Sequence, residues 1–222
     1  MKTAVVTGVS GQDGAYLAKF LLSKNYKVIG TTKKLSSIKL WRLKELNIEK
    51  KIIFEHLNLN NKKSIDRLFE KYKINEFYNL GGVSLVSSSF KKTLETVNNT
   101  ALGVVRILEA ILKFDKKVKF YQATSSEIFG DSLTKFQNEN SEFRPKNPYA
   151  ISKLFAHLIT KNYRKTYNIF AVSGILFNHE SPLRGNEFVT KKIIKGLVRY
   201  SLGKQKNIEV GNLNSRRDWG YA

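Results

Sequence analysis

The chain has 222 residues, of which 41% are hydrophobic and 26% charged, as is typical of a globular protein with a large buried core. This composition excludes collagen-like repeats, coiled coils and bulk disorder, and the lack of cysteine excludes disulfide frameworks and thiolate metal sites. The net charge is +21, but the basic residues are spread along the chain, so we expect a lysine-rich composition rather than nucleic-acid binding.

Short apolar runs alternate with stretches whose apolar residues recur at helical spacing. The predicted strands are 4–6, 27–30, 52–54, 77–80, 118–123 and 170–175, and the predicted helices are 15–22, 65–72, 97–114 and 149–167. Such alternation predicts an α/β fold with a doubly wound parallel sheet, the Rossmann fold. We assign residues 1–172 to this domain and 173–222 to the beginning of a smaller C-terminal part. The helix predicted over 97–114 has one apolar face, formed by Leu102, Val105, Ile107, Leu108 and Ile111.

Three glycines follow the first predicted strand and open the first predicted helix. Gly8, Gly11 and Gly14 have the spacing G-x-x-G-x-x-G, with Gln12 and Asp13 between the last two. Glycine permits a tight turn and a close approach of backbone amides to a pyrophosphate, which the helix N-terminus also attracts. An ordinary strand-to-helix turn is the alternative, but this context favours a dinucleotide site.

The end of the second strand indicates which dinucleotide is bound. An acidic residue there is typical of NAD sites, yet none occurs before Glu45. Thr32 and Lys33 suit a 2′-phosphate instead, which favours NADP, whereas a solvated lysine loop would leave the preference open. Residues after the third and fourth strands complete the predicted cofactor site: Asn58, Leu59, Leu80 and Gly81.

Tyr149 and Lys153 are four residues apart, so they share one face of a predicted helix with Asn147 as its N-cap and Pro148 as its first residue. An ammonium beside a phenol lowers the pKa of the phenol, which can then accept a proton from a sugar hydroxyl. The pattern Y-x-x-x-K is weak evidence alone, but it is strong behind a glycine-rich nucleotide loop.

Ser125 and Glu127 follow the fifth strand, where ligands bind in doubly wound sheets. Ser125 suits a hydrogen bond to the hydroxyl that Tyr149 deprotonates. Alcohol oxidation needs no further acid, so Glu127 suggests a second proton transfer, as in water elimination. The alternative for Glu127 is a surface acid that caps the following turn.

Together these motifs resemble the extended short-chain dehydrogenases/reductases, the NAD-dependent epimerase/dehydratase family, and within it the GDP-mannose 4,6-dehydratases. The segments that carry the resemblance are 7–17, 77–81, 120–130, 149–153, 174–182, 188–193 and 211–220. The resemblance therefore extends over nearly the whole chain. It departs at Lys33 and Lys34, where the family usually has arginine, and at Glu95, where it often has tyrosine.

The resemblance implies conversion of GDP-D-mannose to GDP-4-dehydro-6-deoxy-D-mannose with NADP, in a homodimer or homotetramer. Its catalytic residues correspond to Ser125, Glu127, Tyr149 and Lys153. It adds His179 and Arg184 to the cofactor site. It implies a sugar-nucleotide site formed by Ser84, Asn178, Val189, Lys192 and Arg217.

The alternatives that remain are a related nucleotide-sugar epimerase or reductase, and an inactive NADP-binding remnant. The second arises because the family's C-terminal lobe continues past Ala222, so we expect a truncated chain. Met1 leads directly into a strand, and no apolar stretch approaches the ~20 residues of a membrane span, so we expect a cytoplasmic protein without membrane contact. We expect no metal.

Overall fold

The computed structural model describes residues 1–82 and 86–222, which divide into two units, Met1–Leu176 and Phe177–Ala222. The first unit extends past residue 172, the predicted domain boundary, because strand β6 (Ala171–Gly174) is hydrogen-bonded into its sheet.

The first unit is built on six parallel strands in the order β3-β2-β1-β4-β5-β6. The strands are β1 Thr3–Thr7, β2 Lys27–Thr32, β3 Ile53–His56, β4 Glu76–Asn79, β5 Lys119–Ala123 and β6. This order reverses between β1 and β4, which confirms the predicted doubly wound fold. Ligands bind in such sheets where the order reverses, beyond the carboxyl ends of the strands.

Helices connect these strands at the predicted places, and several short helices were not predicted. The helices are α1 Gln12–Ser23, α2 Trp41–Glu45, α3 Lys62–Lys71, α4 Val86–Lys91, α5 Thr93–Thr96, α6 Gly103–Phe114 and α7 Pro148–Tyr167. The helix predicted over 97–114 contains a π-helical turn, Val97–Leu102, before α6. Leu102, at the end of this wider turn, is 39% exposed, whereas Ile107, Leu108 and Ile111 of the same predicted face are fully buried.

The core of the first unit lies between the sheet and the helices. Phe77 and Phe120 on adjacent strands are fully buried with ring centroids 6.2 Å apart, and Phe69 of α3 stacks on Phe77 at 5.9 Å. Ile107 and Ile111 of α6 are also fully buried in this cluster. Each such side chain stabilises the fold by about 1.5–3 kcal/mol, so the sheet edge that carries the site rests on a rigid base.

The second unit contains helix α8 (Val189–Ser201) and two short parallel strands, β7 (Asn178–Glu180) and β8 (Trp219–Tyr221). Within residues 177–222, all of which the structure describes, only Leu183, Gly185 and Gly196 are buried. Among the helices in the described parts of both units, none combines the length and the apolar character needed to cross a lipid bilayer.

Candidate functional site

A cleft of about 270 Å³ opens where the strand order reverses, between the loops after β1 and β4. It is lined by Thr7, Gly8, Ser10, Thr31, Thr32, Lys33, Leu57, Leu59, Gly81, Gly82, Glu95 and Asn99. Gly8, Thr32, Lys33, Leu59 and Gly81 were predicted for the cofactor site, so the fold brings residues from four separate segments to one cleft.

The glycine loop is shaped so that side chains do not fit. Gly8 has φ +67°, and a Cβ there would lie 3.1 Å from the Cα of Gly81. A Cβ on Gly14 would lie 2.3 Å from the carbonyl oxygen of Gly8, closer than real contacts allow. The loop therefore packs tightly against the start of α1 at Gln12, and its backbone is accessible to a ligand, as dinucleotide sites require.

An acidic residue, Glu95, lines the cleft beside Lys33, although none lies directly at the end of β2 in the sequence. The Glu95 carboxylate, from α5, is 3.6 Å from the Nζ of Lys33 and 3.9 Å from that of Lys92. Both partners of the Lys33 pair are substantially exposed, so this ion pair is weak. The sequence identified Glu95 only as a departure from the family pattern, and its pairing with Lys33 was not predicted because α5 lies far from β2 along the chain.

Other predicted cofactor residues lie beside the cleft and do not line it. Asn58 accepts a hydrogen bond from the backbone N–H of Asn60 at 3.1 Å, which stabilises its own loop. The Leu80 carbonyl oxygen lies 3.2 Å from the position of a Cβ on Gly8. Ser84, predicted to bind the sugar nucleotide, lies outside the described residues.

Tyr149 and Lys153 lie at the start of α7, as predicted. The Asn147 side chain caps this helix by accepting a hydrogen bond from the N–H of Ala150 at 2.8 Å, and Pro148 is its first residue. The Lys153 side chain is 6% exposed, and its Nζ donates to the Ala123 carbonyl oxygen at 2.7 Å and lies 5.8 Å from the Tyr149 ring centroid. This geometry places a fixed ammonium beside the phenol.

Burial lowers the pKa of Lys153 to about 8, although the Asp13 carboxylate of α1 opposes this shift. Near pH 7 the side chain is still mostly protonated, so its charge is held in a nearly dry environment. Electrostatic effects on a neighbouring group are stronger there than in water.

Ser125 and Glu127 lie just beyond β5, as predicted. The Ser125 hydroxyl accepts a hydrogen bond from the N–H of Glu127 at 3.3 Å, at the start of a 3₁₀ turn over Ser126–Phe129. The half-buried Glu127 carboxylate accepts from the Nδ2 of Asn147 at 3.4 Å. Asn147 therefore holds Glu127 at the N-terminus of α7, near Tyr149. The sequence reasoning identified Asn147 only as a helix cap.

Two predicted cofactor residues of the second unit are held by local contacts. The Nδ1 atom of His179 is 2.7 Å from the Phe177 carbonyl oxygen. Arg184 is paired with Glu180 at 3.1 Å, and its guanidinium lies 3.6 Å from the Phe188 ring centroid. Within this unit the Arg184 side chain is thus orientated by both charge and stacking.

The predicted sugar-nucleotide residues of the second unit are mostly exposed. Val189 begins α8, Asn178 begins β7, and Arg217 lies in the segment before β8. Lys192 lines a groove of about 480 Å³ along α8, together with Lys195 and Arg199. Three cations and one carboxylate, that of Glu209, line this groove, so its net charge is positive.

The sequence model of a family described as GDP-mannose 4,6 dehydratase matches residues 5–222. The chain belongs to the GDP-mannose 4,6-dehydratase family. It is 42% identical to GDP-mannose 4,6-dehydratase of Vibrio cholerae and 41% identical to that of Cricetulus griseus. All of this chain aligns in both cases, and it spans 61% and 62% of the lengths of those relatives.

Solved structures of nucleotide-sugar enzymes share the fold of this chain. A dTDP-glucose 4,6-dehydratase from Bacillus anthracis, in complex with NAD, matches with a TM-score of 0.81 at 21% identity, covering 99% of this chain and 67% of that one. A mutant UDP-glucuronic acid 4-epimerase from Bacillus cereus, also with NAD, gives 0.85 at 22%, covering 99% and 69%. At such identities the similarity supports the fold and not the reaction.

Proposed function

We propose that the protein is a GDP-mannose 4,6-dehydratase that converts GDP-D-mannose to GDP-4-dehydro-6-deoxy-D-mannose. The observation that supports this best is the placement of Glu127, a half-buried carboxylate held by Asn147 at the N-terminus of the helix that carries Tyr149 and Lys153. Oxidation of an alcohol does not require a carboxylate there, whereas elimination does. The names of the 41–42% identical relatives point to the same reaction.

The cofactor that we propose is NADP, held by Gly8, Gly14, Gly81, Thr32 and Lys33. The residues present fit a dinucleotide, because a Cβ on Gly8 or Gly14 would collide with the loop that approaches the phosphates. The cation of Lys33 at the end of β2 suits a 2′-phosphate. When bound, NADP supplies the hydride acceptor for C4 and the hydride donor for C6.

Tyr149 acts as the base for the C4 hydroxyl of mannose. Lys153 favours the phenolate because its buried charge lies beside the ring. Ser125 donates or accepts a hydrogen bond at the same hydroxyl and so orientates it. The proton therefore moves from the sugar to the phenolic oxygen of Tyr149.

Glu127 acts first as the base and then as the acid in the elimination of water. A ketone at C4 acidifies the C5 proton, which the Glu127 carboxylate removes; the resulting carboxylic acid then protonates the C6 hydroxyl, which leaves as water. The partial positive charge at the N-terminus of α7 and the hydrogen bond from Asn147 keep this carboxylate in place. C5 then takes a proton from solvent, Tyr149 releases to solvent the proton that it took from the C4 hydroxyl, and with the hydride returned to C6 the reaction has no net redox change.

The nucleotide part of the substrate is assigned to the second unit together with Ser84. Lys192 and Arg217 offer cations for the diphosphate, and Asn178 and Val189 offer polar and apolar contacts. His179 and Arg184 are assigned to the cofactor. We also propose a homo-oligomer in the cytoplasm; the exposed apolar residues Ile151, Phe155 and Leu158 form a stripe on α7 that suits association of two copies.

The test is incubation of the 222-residue chain with GDP-mannose and catalytic NADP, followed by mass spectrometry. Loss of water from the sugar nucleotide without accumulation of NADPH is the expected result. Glu127→Gln should then lower turnover by about 10²- to 10⁴-fold while C4 oxidation persists, and Tyr149→Phe should abolish both steps. Elimination that survives Glu127→Gln would contradict the role of Glu127.

The alternatives give different products in the same assay. An epimerase would give an isomer of unchanged mass, and a reductase would consume NADPH in a parallel incubation supplied with NADPH. A chain that binds NADP but leaves GDP-mannose intact would be the inactive cofactor-binding protein considered in the sequence analysis.

A further inference from the structure

A row of three buried polar side chains crosses the sheet at the carboxyl end of its central strands. Thr7 of β1 is in register with Asn79 of β4, and Asn79 is in register with Gln122 of β5. Their exposed fractions are 3%, 1% and 1%. Polar groups buried so completely need hydrogen-bond partners, and here each finds them in its neighbours along the row.

The hydrogen bonds of this row run in one direction. The Gly81 N–H donates to Thr7 Oγ1 at 2.7 Å, and the Thr7 hydroxyl donates to Asn79 Oδ1 at 2.8 Å. The Asn79 amide then donates to Gln122 Oε1 at 2.8 Å, and the Gln122 amide donates to the Ala123 carbonyl oxygen at 2.7 Å. The row thus begins at a residue of the cofactor cleft and ends at the end of β5.

The end at Ala123 fixes the orientation of every member. A carbonyl oxygen only accepts, so the Gln122 side chain must direct its NH₂ group towards Ala123 and its oxygen towards Asn79. Asn79 must then direct its NH₂ group towards Gln122 and its oxygen towards the Thr7 hydroxyl. Reversal of either amide would place two donors or two acceptors against each other in a buried environment.

The same carbonyl oxygen holds the candidate catalytic lysine. Lys153 Nζ also donates to the oxygen of Ala123, at 2.7 Å. Gln122 and Lys153 therefore donate to the same carbonyl oxygen. The hydrogen bond from Gln122 holds that oxygen in position. No role in the reaction has been assigned to this glutamine so far.

We propose that Gln122, supported by Asn79 and Thr7, is a positioning residue that fixes the Ala123 carbonyl oxygen and through it the ammonium of Lys153 beside Tyr149. This inference rests on the proposed function for the role of Lys153, but the contacts that carry it are independent of substrate.

Loss of the Gln122 amide has two effects on Lys153, and both have the same sign. The Ala123 oxygen becomes a stronger acceptor for the ammonium, because it no longer shares its lone pairs with a second donor. The lysine side chain is also freer to move towards water. Each effect favours the charged form, so the pKa of Lys153 should rise from about 8 towards that of an ordinary lysine.

The experiment is an NMR titration of lysine amino groups in the ¹⁵N-labelled chain, with the Lys153 signal assigned from its loss in Lys153→Arg. Gln122→Met keeps the length of the side chain and removes its amide, and Asn79→Leu removes the middle of the row. We expect the midpoint of Lys153 to rise by about one pH unit in Gln122→Met and by less in Asn79→Leu.

Thr160→Val is the matched control. Thr160 is also buried on α7, at 1% exposed, and donates to the Ala156 carbonyl at 2.7 Å, but it is not part of the row. Its loss should destabilise the fold similarly without moving the Lys153 midpoint. The proposal is overturned if the Lys153 midpoint in both row variants stays within about 0.2 pH unit of that in the unaltered chain. It is also overturned if Thr160→Val shifts the midpoint as much as the row variants do.

If Gln122→Met does not fold, Thr7→Val at the far end of the row decides the question. The proposal is supported if the Lys153 midpoint rises in Thr7→Val and returns to its original value in Thr7→Ser. It is overturned if the midpoint does not change in Thr7→Val. Because the titration needs no turnover, a chain that leaves GDP-mannose intact yet shows these shifts would refute the proposed reaction and keep the positioning role.

Discussion

The two units of the chain differ in how their candidate site residues are held. In Met1–Leu176, Lys153, Asn147 and Gln122 are buried among hydrogen-bond partners above a core of fully buried side chains. In Phe177–Ala222, Lys192 and Arg217 are exposed. The first unit therefore holds its candidate site residues in place by its own buried contacts, whereas the second presents charged side chains on a surface with few buried residues.

Core truncation should show the largest difference between the units. Phe77→Ala removes a fully buried ring that stacks on Phe69 and packs against Phe120, and it should lower the free energy of unfolding by about 3–5 kcal/mol. Leu197→Ala on α8, where the side chain is 54% exposed, should lower it by less than about 1 kcal/mol. Urea denaturation measures the free energy of unfolding of both variants. Equal losses would contradict the difference that we describe between the two units.

Removal of the buried charge should stabilise the first unit and abolish its chemistry. Because the pKa of Lys153 is lowered to about 8, its charged form is disfavoured in the folded state, and Lys153→Met should raise stability at pH 7 by up to about 3 kcal/mol. This gain should shrink as the pH rises from about 8 through 10.5, and it should vanish well above 10.5, where the lysine is neutral in both states. The same substitution at the exposed Lys192 should change stability little at any pH.

The glycines of the two units should differ in their tolerance of a side chain. Gly14→Ala places a Cβ 2.3 Å from the Gly8 carbonyl oxygen, so we expect a loss of about 1–3 kcal/mol and at least a tenfold weaker binding of NADP⁺. Gly211→Ala meets no heavy atom within 4 Å in the described structure and should be neutral. Thermal unfolding and fluorescence titration with NADP⁺ compare the two variants.

The smallest effect concerns charge at the cofactor cleft. Glu95→Gln removes the carboxylate that competes with a 2′-phosphate for Lys33, and should strengthen NADP⁺ binding about two- to fivefold with little effect on NAD⁺. Glu209→Gln makes the same charge change on the second unit and should affect neither affinity. Weaker NADP⁺ binding in Glu95→Gln would mean that the carboxylate supports the site instead of opposing the phosphate.

The sequence by itself determined the parallel sheet, the glycine loop and the helix that carries Tyr149 and Lys153. Each of these depends on residues that are close along the chain: an apolar run, three glycines within seven residues, and an Asn-Pro start at 147 and 148. Local periodicity and capping decide such features, so one sequence suffices to predict them. The π-helical turn over Val97–Leu102 was not predicted, because it gives no local signal in the sequence.

Only the tertiary structure decided which distant side chains meet. Glu95 reaches Lys33, Asn147 holds Glu127, and Gln122 shares the Ala123 carbonyl with Lys153. These contacts join segments that are remote along the chain and become neighbours because parallel strands align their carboxyl ends. Strand order and register decide which distant side chains come into contact, and both are properties of the whole sheet rather than of any one segment.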